Sequence, residues 1–374
     1  MAVRYITVTP ITNLFKPATR AFGDVAIVGK VDNDATGPLK TPVPVTNPDS
    51  VSDKSNVSGA NQPVDSTSWF KGDLGTSVRK ALSQNPGPTT VYAVAIDPAD
   101  STNGISLALA EVAKLSVQIV VLANTPLTPL SGQSAIESLA THVNGVSNTG
   151  ADGMERIAVA MLGKDETDPN LVTGNMSINR MVMVAHKSDE DAAAAVAGVI
   201  GGYQPQISLL LKQVQIGMDG LFSDSEIDAF NTARINWLTD PTLIPGKGLF
   251  MGEGYTLGAD QPYIDIVRVI DDISFNLKAM LIRSIGNLRI SRSGLRALVS
   301  QMSAVLQDYL QRAVIDDYQI VLPILVLLDK PPNTLSDTEL QQIHNARVAR
   351  TVDALISVQY AGAIHRLNIT LLFE

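Results

Sequence analysis

The chain has 374 residues, 45% apolar and 17% charged, and its 37 acidic against 28 basic residues give a formal net charge of −9. That is globular composition with length enough for two or three domains, and it excludes disorder. The absence of cysteine excludes disulfides, thiolate metal sites and thiol nucleophiles; no apolar run approaches the ~20 residues that cross a bilayer, and no secretory leader is expected.

In chain order, Val3-Arg-Tyr-Ile-Thr-Val-Thr9 is rich in β-branched and aromatic residues and reads as a strand, with Pro10 to Pro17 as a linker. Residues 22–29 read as a buried strand opening a domain. Residues 32–68, with prolines at 38, 42, 44, 48 and 63 among many Ser, Asn and Asp, read as a long surface loop. The pattern then becomes regular: helix 77–82, strand 89–96, helix 104–115, strand 117–122, and helix 135–146 with Ser134 as its N-cap. Strands 156–162 and 181–185 follow, then an alanine-rich helix 188–200 capped by Ser188. Strands alternating with helices imply βαβ units and a mostly parallel sheet.

Ser223-Asp-Ser-Glu226 is a capping box, with Ile227 and Phe230 on one face of the helix it starts. The last third reads as strand 263–270, helices 272–285 and 293–314, and a buried strand 318–328. A helix capped by Ser336-Asp-Thr-Glu339 follows, with an apolar stripe of Val348, Val352 and Leu355. At the end, Leu367, Ile369, Leu371 and Phe373 recur at period two and share one face of an extended chain. A terminal strand leaves backbone N–H and C=O groups unpaired, so it must dock on its own sheet or find another chain. Strands at both ends suit a subunit that links to its neighbours. The expected fold is α/β: a mixed, largely parallel α/β domain plus an α+β C-terminal domain, with extended N- and C-terminal β-strand arms. The expected boundaries are 1–20, 21–258, 259–362 and 363–374.

Residues 262–374 hold 11 basic and 11 acidic groups, so the net charge resides in 1–261. Between Asp272 and Asp308 there is no acidic residue, while Lys278, Arg283, Arg289, Arg292 and Arg296 lie inside that window. The plain reading is a solvated face; the sharper one is a surface for an acidic partner. Nucleic acid is not expected, because the chain is acidic and these arginines lack interleaved aromatics.

Catalytic patterns fail one by one. Gly29-Lys30, Gly163-Lys164 and Gly246-Lys247 lack both the following Ser/Thr and the upstream glycine of a phosphate loop. Residues 246–252 carry one residue too many for a dinucleotide fingerprint and read as a turn. Asp32-Asn-Asp-Ala-Thr-Gly37 imitates a calcium loop, but Val43 stands where the bidentate Glu belongs. Gly132-Gln-Ser134 lacks the closing glycine of a nucleophile elbow. His142, His186, His344 and His365 are scattered without metal-ligand spacing, and the pairs Asp271-Asp272 and Asp316-Asp317 are sequence neighbours that do not make a dyad. No enzyme, cofactor or metal is expected.

What is left resembles the contractile tail sheath family of phage tails, R-type pyocins and extracellular contractile injection systems. Residues 22–29 look like its opening strand, and LGTSVRKALSQNPGPTTVYAVAI, 74–96, is similar to its helix, Gly-rich turn and Val-rich strand. The most specific stretch is 222–257: Ser223-Asp-Ser-Glu226, Phe230-Asn231, Ile235-Asn236 and Gly252-Glu-Gly-Tyr-Thr-Leu257 follow the family's order and spacing. Tyr263-Ile-Asp-Ile-Val-Arg268 through Ile273 looks like the opening of its C-terminal domain. The strand, capped helix and strand after Gln319 fit as well. Residues 198–217 depart from the family's Pro/Gly-rich stretch, and the chain is short for a sheath, so large outer decorations are not expected.

The resemblance implies a structural subunit that polymerises helically around an inner tube and contracts to drive the tube through a target envelope. It implies as partners other copies of the chain, the inner tube protein, and baseplate and tail terminator or cap proteins, with no direct membrane insertion. It places the protein in a virion tail or injection particle assembled in a bacterial or archaeal cytoplasm. Val3, Tyr5, Ile6 and Val8 with Leu367, Ile369, Leu371 and Phe373 are then expected in inter-subunit strands, and Lys278, Arg283, Arg289, Arg292 and Arg296 against the tube or a neighbour. The rivals are a Rossmann-like α/β enzyme and a non-contractile capsid or scaffold protein.

Overall fold

The computed structural model describes residues 22–32, 38–48, 71–100, 103–149, 153–173, 180–244, 248–363 and 365. The expected linker 10–17 and both expected terminal strands lie outside them. The described chain divides into two compact units, residues 273–359 forming one and the rest the other.

The larger unit is built on a nine-stranded sheet. Its strands are β1 (Val25–Lys30), β2 (Val43–Val45), β3 (Val91–Ile96), β4 (Ile119–Leu127), β5 (Ile157–Leu162), β6 (Met181–Ala185), β7 (Gln213–Val214), β8 (Asn236–Thr239) and β9 (Leu249–Met251), in the order β2-β3-β1-β4-β5-β6-β8-β9-β7. The run from β3 to β8 is parallel, for example Ile27↔Ala93 and Ile27↔Val121. β2, inside the expected loop, pairs antiparallel on one edge, and β9 and β7 close the other edge antiparallel.

The helices of this unit are α1 (Asp73–Leu82), α2 (Gly104–Val112), α3 (Gln133–Asn148), α4 (Asn170–Thr173), α5 (Ala192–Gly202), α6 (Asp224–Ala233) and the first part of α7 (Ile264–Leu281). Alternate strand residues feed two cores. Val25, Ile27, Ile119 and Val121 meet α1 and α5; Ala26, Val28, Val120 and Leu122 meet α2, α3 and α6. Because both faces are covered, the strands read as continuous apolar runs. α5 is buried on all sides, which its alanines and glycines allow: a Cβ on Gly198 would stand 2.3 Å from the Ala81 carbonyl oxygen of α1.

The smaller unit holds the remainder of α7, then α8 (Arg292–Gln311), β10 (Ile315–Val321), α9 (Pro323–Asp329), α10 (Asp337–Ala349) and β11 (Leu355–Tyr360), whose last residue falls in the larger unit. Its buried side chains include Leu295, Met302, Leu306, Tyr309, Ile315, Leu322 and Ile343, and Leu277, Leu298, Ile324 and Ile356 pack partly buried around Leu295, Met302 and Leu322. β10 and β11 form a two-stranded sheet.

Several expected elements differ. Segment 263–270 is not a strand but the start of α7. Its β-branched density gives way to the helical spacing of Ile264, Val267 and Asp271, all buried. The expected strand 318–328 stops at Val321, because Pro323 takes the first position of α9. Asp191, not Ser188, caps α5, accepting from the Ala194 N–H at 2.9 Å, and Gly132 (φ 89°), not Ser134, precedes α3. The stripe Val348, Val352, Leu355 does not share a helix: α10 ends at Ala349, Val348 and Leu355 are exposed, and only Val352 packs on the core. Both capping boxes form as expected, at Ser223/Glu226 and Ser336/Glu339.

Candidate functional site

A sheet of order β3-β1-β4-β5-β6 reverses direction between β1 and β4, and in doubly wound folds that crevice takes the nucleotide. Here the protein's own groups fill it. A Cβ on Gly29 would stand 2.4 Å from the Ala123 Cβ and 3.2 Å from the Leu74 Cα. The buried Asp191 carboxylate accepts from Ser77 Oγ (2.6 Å) and the Asn124 N–H (2.7 Å), and Asn124 Nδ2 donates to Asp73 (3.0 Å). Asp73 and Asp191, with Asp32 just after β1, bring negative charge where a phosphate would need donors.

The titratable candidates are committed to structural work. The His142 ring lies 3.3 Å from an Arg156 guanidinium nitrogen; burial, then that cation, lower its pKa to about 4. Arg156 is buried and donates to the carbonyls of Met154, Val112 and Leu115, tying the end of α2 to β5. His186 accepts the Ser188 N–H at Nδ1, so Nε2 donates to the Leu162 carbonyl; burial lowers its pKa too. Asp271 forms a two-pronged ion pair with Arg180, both contacts 2.7 Å. Lys164 is held by Asp189 and Asp219 at 2.7 and 2.6 Å. Among the described residues no three His, Asp or Glu side chains stand as a metal cluster. A groove of about 570 Å³ between α2 and α3 is lined by Ser106, Leu109, Ser134, Glu137, Ser138 and His142, and brings together no set of charged donors.

One constellation escaped the sequence. His365 Nδ1 lies 2.8 Å from Glu253 Oε2, and its Nε2 lies 2.9 Å from Ser208 Oγ. Serine, imidazole and carboxylate in that order match a hydrolase triad, but the surroundings do not. Ser208 sits in an irregular segment between α5 and β7 rather than on a strand-to-helix elbow. The nearby Leu210 N–H donates to the hydroxyl itself (3.3 Å) instead of facing an oxyanion, and the Tyr263 ring stands edge-on to the imidazole at 4.7 Å. Separations of 157 and 112 positions left no motif to read.

Glu253 belongs to the stretch 222–257, which knits into one unit. Asn236 donates to the carbonyls of Met183 and Tyr255 and accepts the Tyr255 N–H at 2.6 Å; Tyr255 reaches Asn231 at 2.8 Å. Gly252 is required because a Cβ there would stand 2.2 Å from the Trp237 ring.

Of the expected assembly residues, Val3, Tyr5, Ile6, Val8, Leu367, Ile369, Leu371 and Phe373 lie outside the described residues. The basic window splits. Arg292 and Arg296 on α8 reach Asp329 at 3.0 and 3.1 Å, and Arg292 also donates to the Leu328 carbonyl, capping the end of α9. The acidic partner comes from outside the window, which sequence distance concealed. Lys278 lies on α7; Arg283 and Arg289 lie in the α7–α8 turn beside Ile282 and Ile285, which are 61% and 77% exposed. β11 is mostly exposed, Leu355 at 64%.

No protein-family model matches the chain, and no curated protein does. Solved structures do. The contracted sheath of the PVC extracellular contractile injection system aligns at 13% identity and TM-score 0.66, covering 100% of this chain and 99% of that one. The contracted helical sheath of the anti-feeding prophage aligns at 12% and 0.61 with the same coverage, and a sheath tail protein of Desulfitobacterium hafniense at 10% and 0.58, covering 84% and 92%. At such identity the likeness is one of architecture, and along its whole length this chain carries the contractile-sheath fold.

Proposed function

We propose that the protein is the structural subunit of a contractile tail sheath, polymerising helically around an inner tube and contracting to drive the tube through a target envelope. The carrying observation is that the sheath likeness spans 100% of the chain; a Rossmann-like enzyme or a generic scaffold would account for the central sheet alone. The filled crevice between β1 and β4 supports the same reading.

The smaller unit offers the assembly surface. A lone two-stranded sheet is marginal in water, and β11 leaves most of its residues exposed. Strands 3–9 and 364–373 from neighbouring copies would extend it by β-augmentation, backbone bonds giving strength and alternate side chains giving register. Arms 1–20 and 363–374 then flank an α/β domain (21–258) and a tube-facing α+β domain (259–362). Lys278, Arg283 and Arg289, with Ile282 and Ile285, make an apolar and cationic surface for the tube or a neighbour. Inner tube, baseplate and terminator proteins are the partners, in a particle assembled in a bacterial or archaeal cytoplasm. Contraction releases a metastable packing, on the order of a few kcal/mol per subunit, summed over the array.

Negative-stain imaging of the purified protein tests this: hollow striated tubes are expected, whereas closed shells or small discrete particles would refute it. Deleting residues 1–12 is expected to leave a folded subunit that forms no tubes; tubes of normal length from that truncation remove the arm assignment.

A further inference from the structure

The described residues include two carboxylates, one just after β9 and one in the first turn of α7, each 5% exposed and each bonded by segment 360–365. Glu253 receives His365 at 2.8 Å, and Asp265 receives the Tyr360 hydroxyl at 2.7 Å. The loop between them is stiff. Tyr255 bridges to Tyr263, their rings 5.4 Å apart, and the N–H groups of Ile264 and Thr256 reach the Gly254 and Pro262 carbonyls at 2.9 Å each. Ser208 adds a third contact to the same imidazole.

We propose that residues 252–265, the β9–α7 connection and the first residues of α7, form a clasp for the chain's own segment 360–365: the chain stays with its own large unit through His365, so the strand lent to another copy starts beyond His365 instead of at 364. Withdrawing 360–365 would give up two hydrogen bonds to carboxylates at once, the stronger kind of hydrogen bond. Burial, then the Asp265 carboxylate, push the Tyr360 pKa upward, so the phenol stays protonated and donating.

The clasp also sets a length. Residues 361–365, about 16 Å when extended, are withheld from the link as long as the clasp holds. On the sheath reading, which this last point rests on, the clasp takes slack out of the link between neighbouring copies, so one subunit's movement is passed on instead of being absorbed by loose chain.

Hydrogen exchange on the unassembled protein tests the clasp directly, in wild type, Glu253→Ala, His365→Ala and the double variant. Amides 361–365 are expected to exchange faster by on the order of tenfold in each single variant. The double variant is expected to be no faster than His365→Ala alone, since the contact with Glu253 is already lost there. Central-strand amides should not change, which certifies the fold. Tyr360→Phe, which deletes one hydroxyl, should speed exchange of amides near 360 in the same way. Wild-type amides 361–365 exchanging as free chain, or effects of the two single variants that multiply in the double, overturn the clasp. The imaging described above judges the sheath reading separately: a wild-type protein that forms no tubes defeats that reading, while exchange still decides the clasp.

Discussion

His142 illustrates how burial turns a titratable side chain into a stability device. Its ring packs against the buried Arg156, and burial followed by that cation lowers its pKa from 6.5 to about 4. In the unfolded chain the imidazole takes up a proton near its ordinary pKa; in the folded chain it resists. A depressed histidine pKa therefore contributes stability that is whole above 6.5 and is lost as pH falls from there toward 4. His186, lowered by its own burial, acts in the same direction. His142→Gln should flatten that slope. Between about pH 7 and pH 4.5 the variant should lose less stability than the parent by about 1–2 kcal/mol, allowing for a ring that is partly exposed. Denaturant melts at the two pH values measure this, and equal slopes would show that the ring titrates normally in the fold.

At the scale of elements, the smaller unit leaves some apolar residues on the outside: Val348 and Leu355 are 68% and 64% exposed. An exposed leucine on a two-stranded sheet contributes little to its own subunit, so Leu355→Lys should move the melting free energy of the isolated protein by no more than about 0.5 kcal/mol. If neighbouring chains cover that sheet, the same change buries a charge at every joint and should abolish tube formation, as sedimentation would register. Unimpaired sedimentation would place the covered surface elsewhere. The parallel sheet was legible because each apolar run with its flanking turn maps to one strand, and 181–185 matched to the residue. The capping boxes were legible because their chemistry is local. The start of α7 was not: Tyr263-Ile-Asp-Ile-Val-Arg268 is dense in β-branched and aromatic residues as a strand is, and burial of Asp265, Arg268 and Asp271 among distant partners selects the helix. The clasp was illegible for the same reason, since Ser208, Glu253 and His365 meet only once the sheet has brought their loops together.

For the whole molecule, charge distribution bears on the proposed assembly. The excess of nine negative charges lies in residues 1–261, while 262–374 balance. Stacking many such subunits concentrates like charge, and that repulsion opposes any ordered array. If copies join through strand pairing and cover the exposed Ile282, Ile285 and Leu355, those contacts are insensitive to charge screening, whereas repulsion between exposed groups is screened over a Debye length of about 10 Å at 0.1 M salt and about 3 Å at 1 M. Assembly of the purified protein without a tube should therefore rise with sodium chloride over that range, light scattering reporting the lower critical concentration. The cationic turn makes the opposite demand. If Arg289 and its neighbours meet an acidic tube, assembly on the tube should weaken with salt while tube-free assembly strengthens, and Arg289→Glu should abolish the tube-dependent part alone. Arg289 is the informative position, because reversing Arg292 would also break its contact with Asp329. Tube-free assembly that falls steadily with salt would show that attraction between unlike charges holds the copies together, and would move the joint from the apolar sheet to the charged surface.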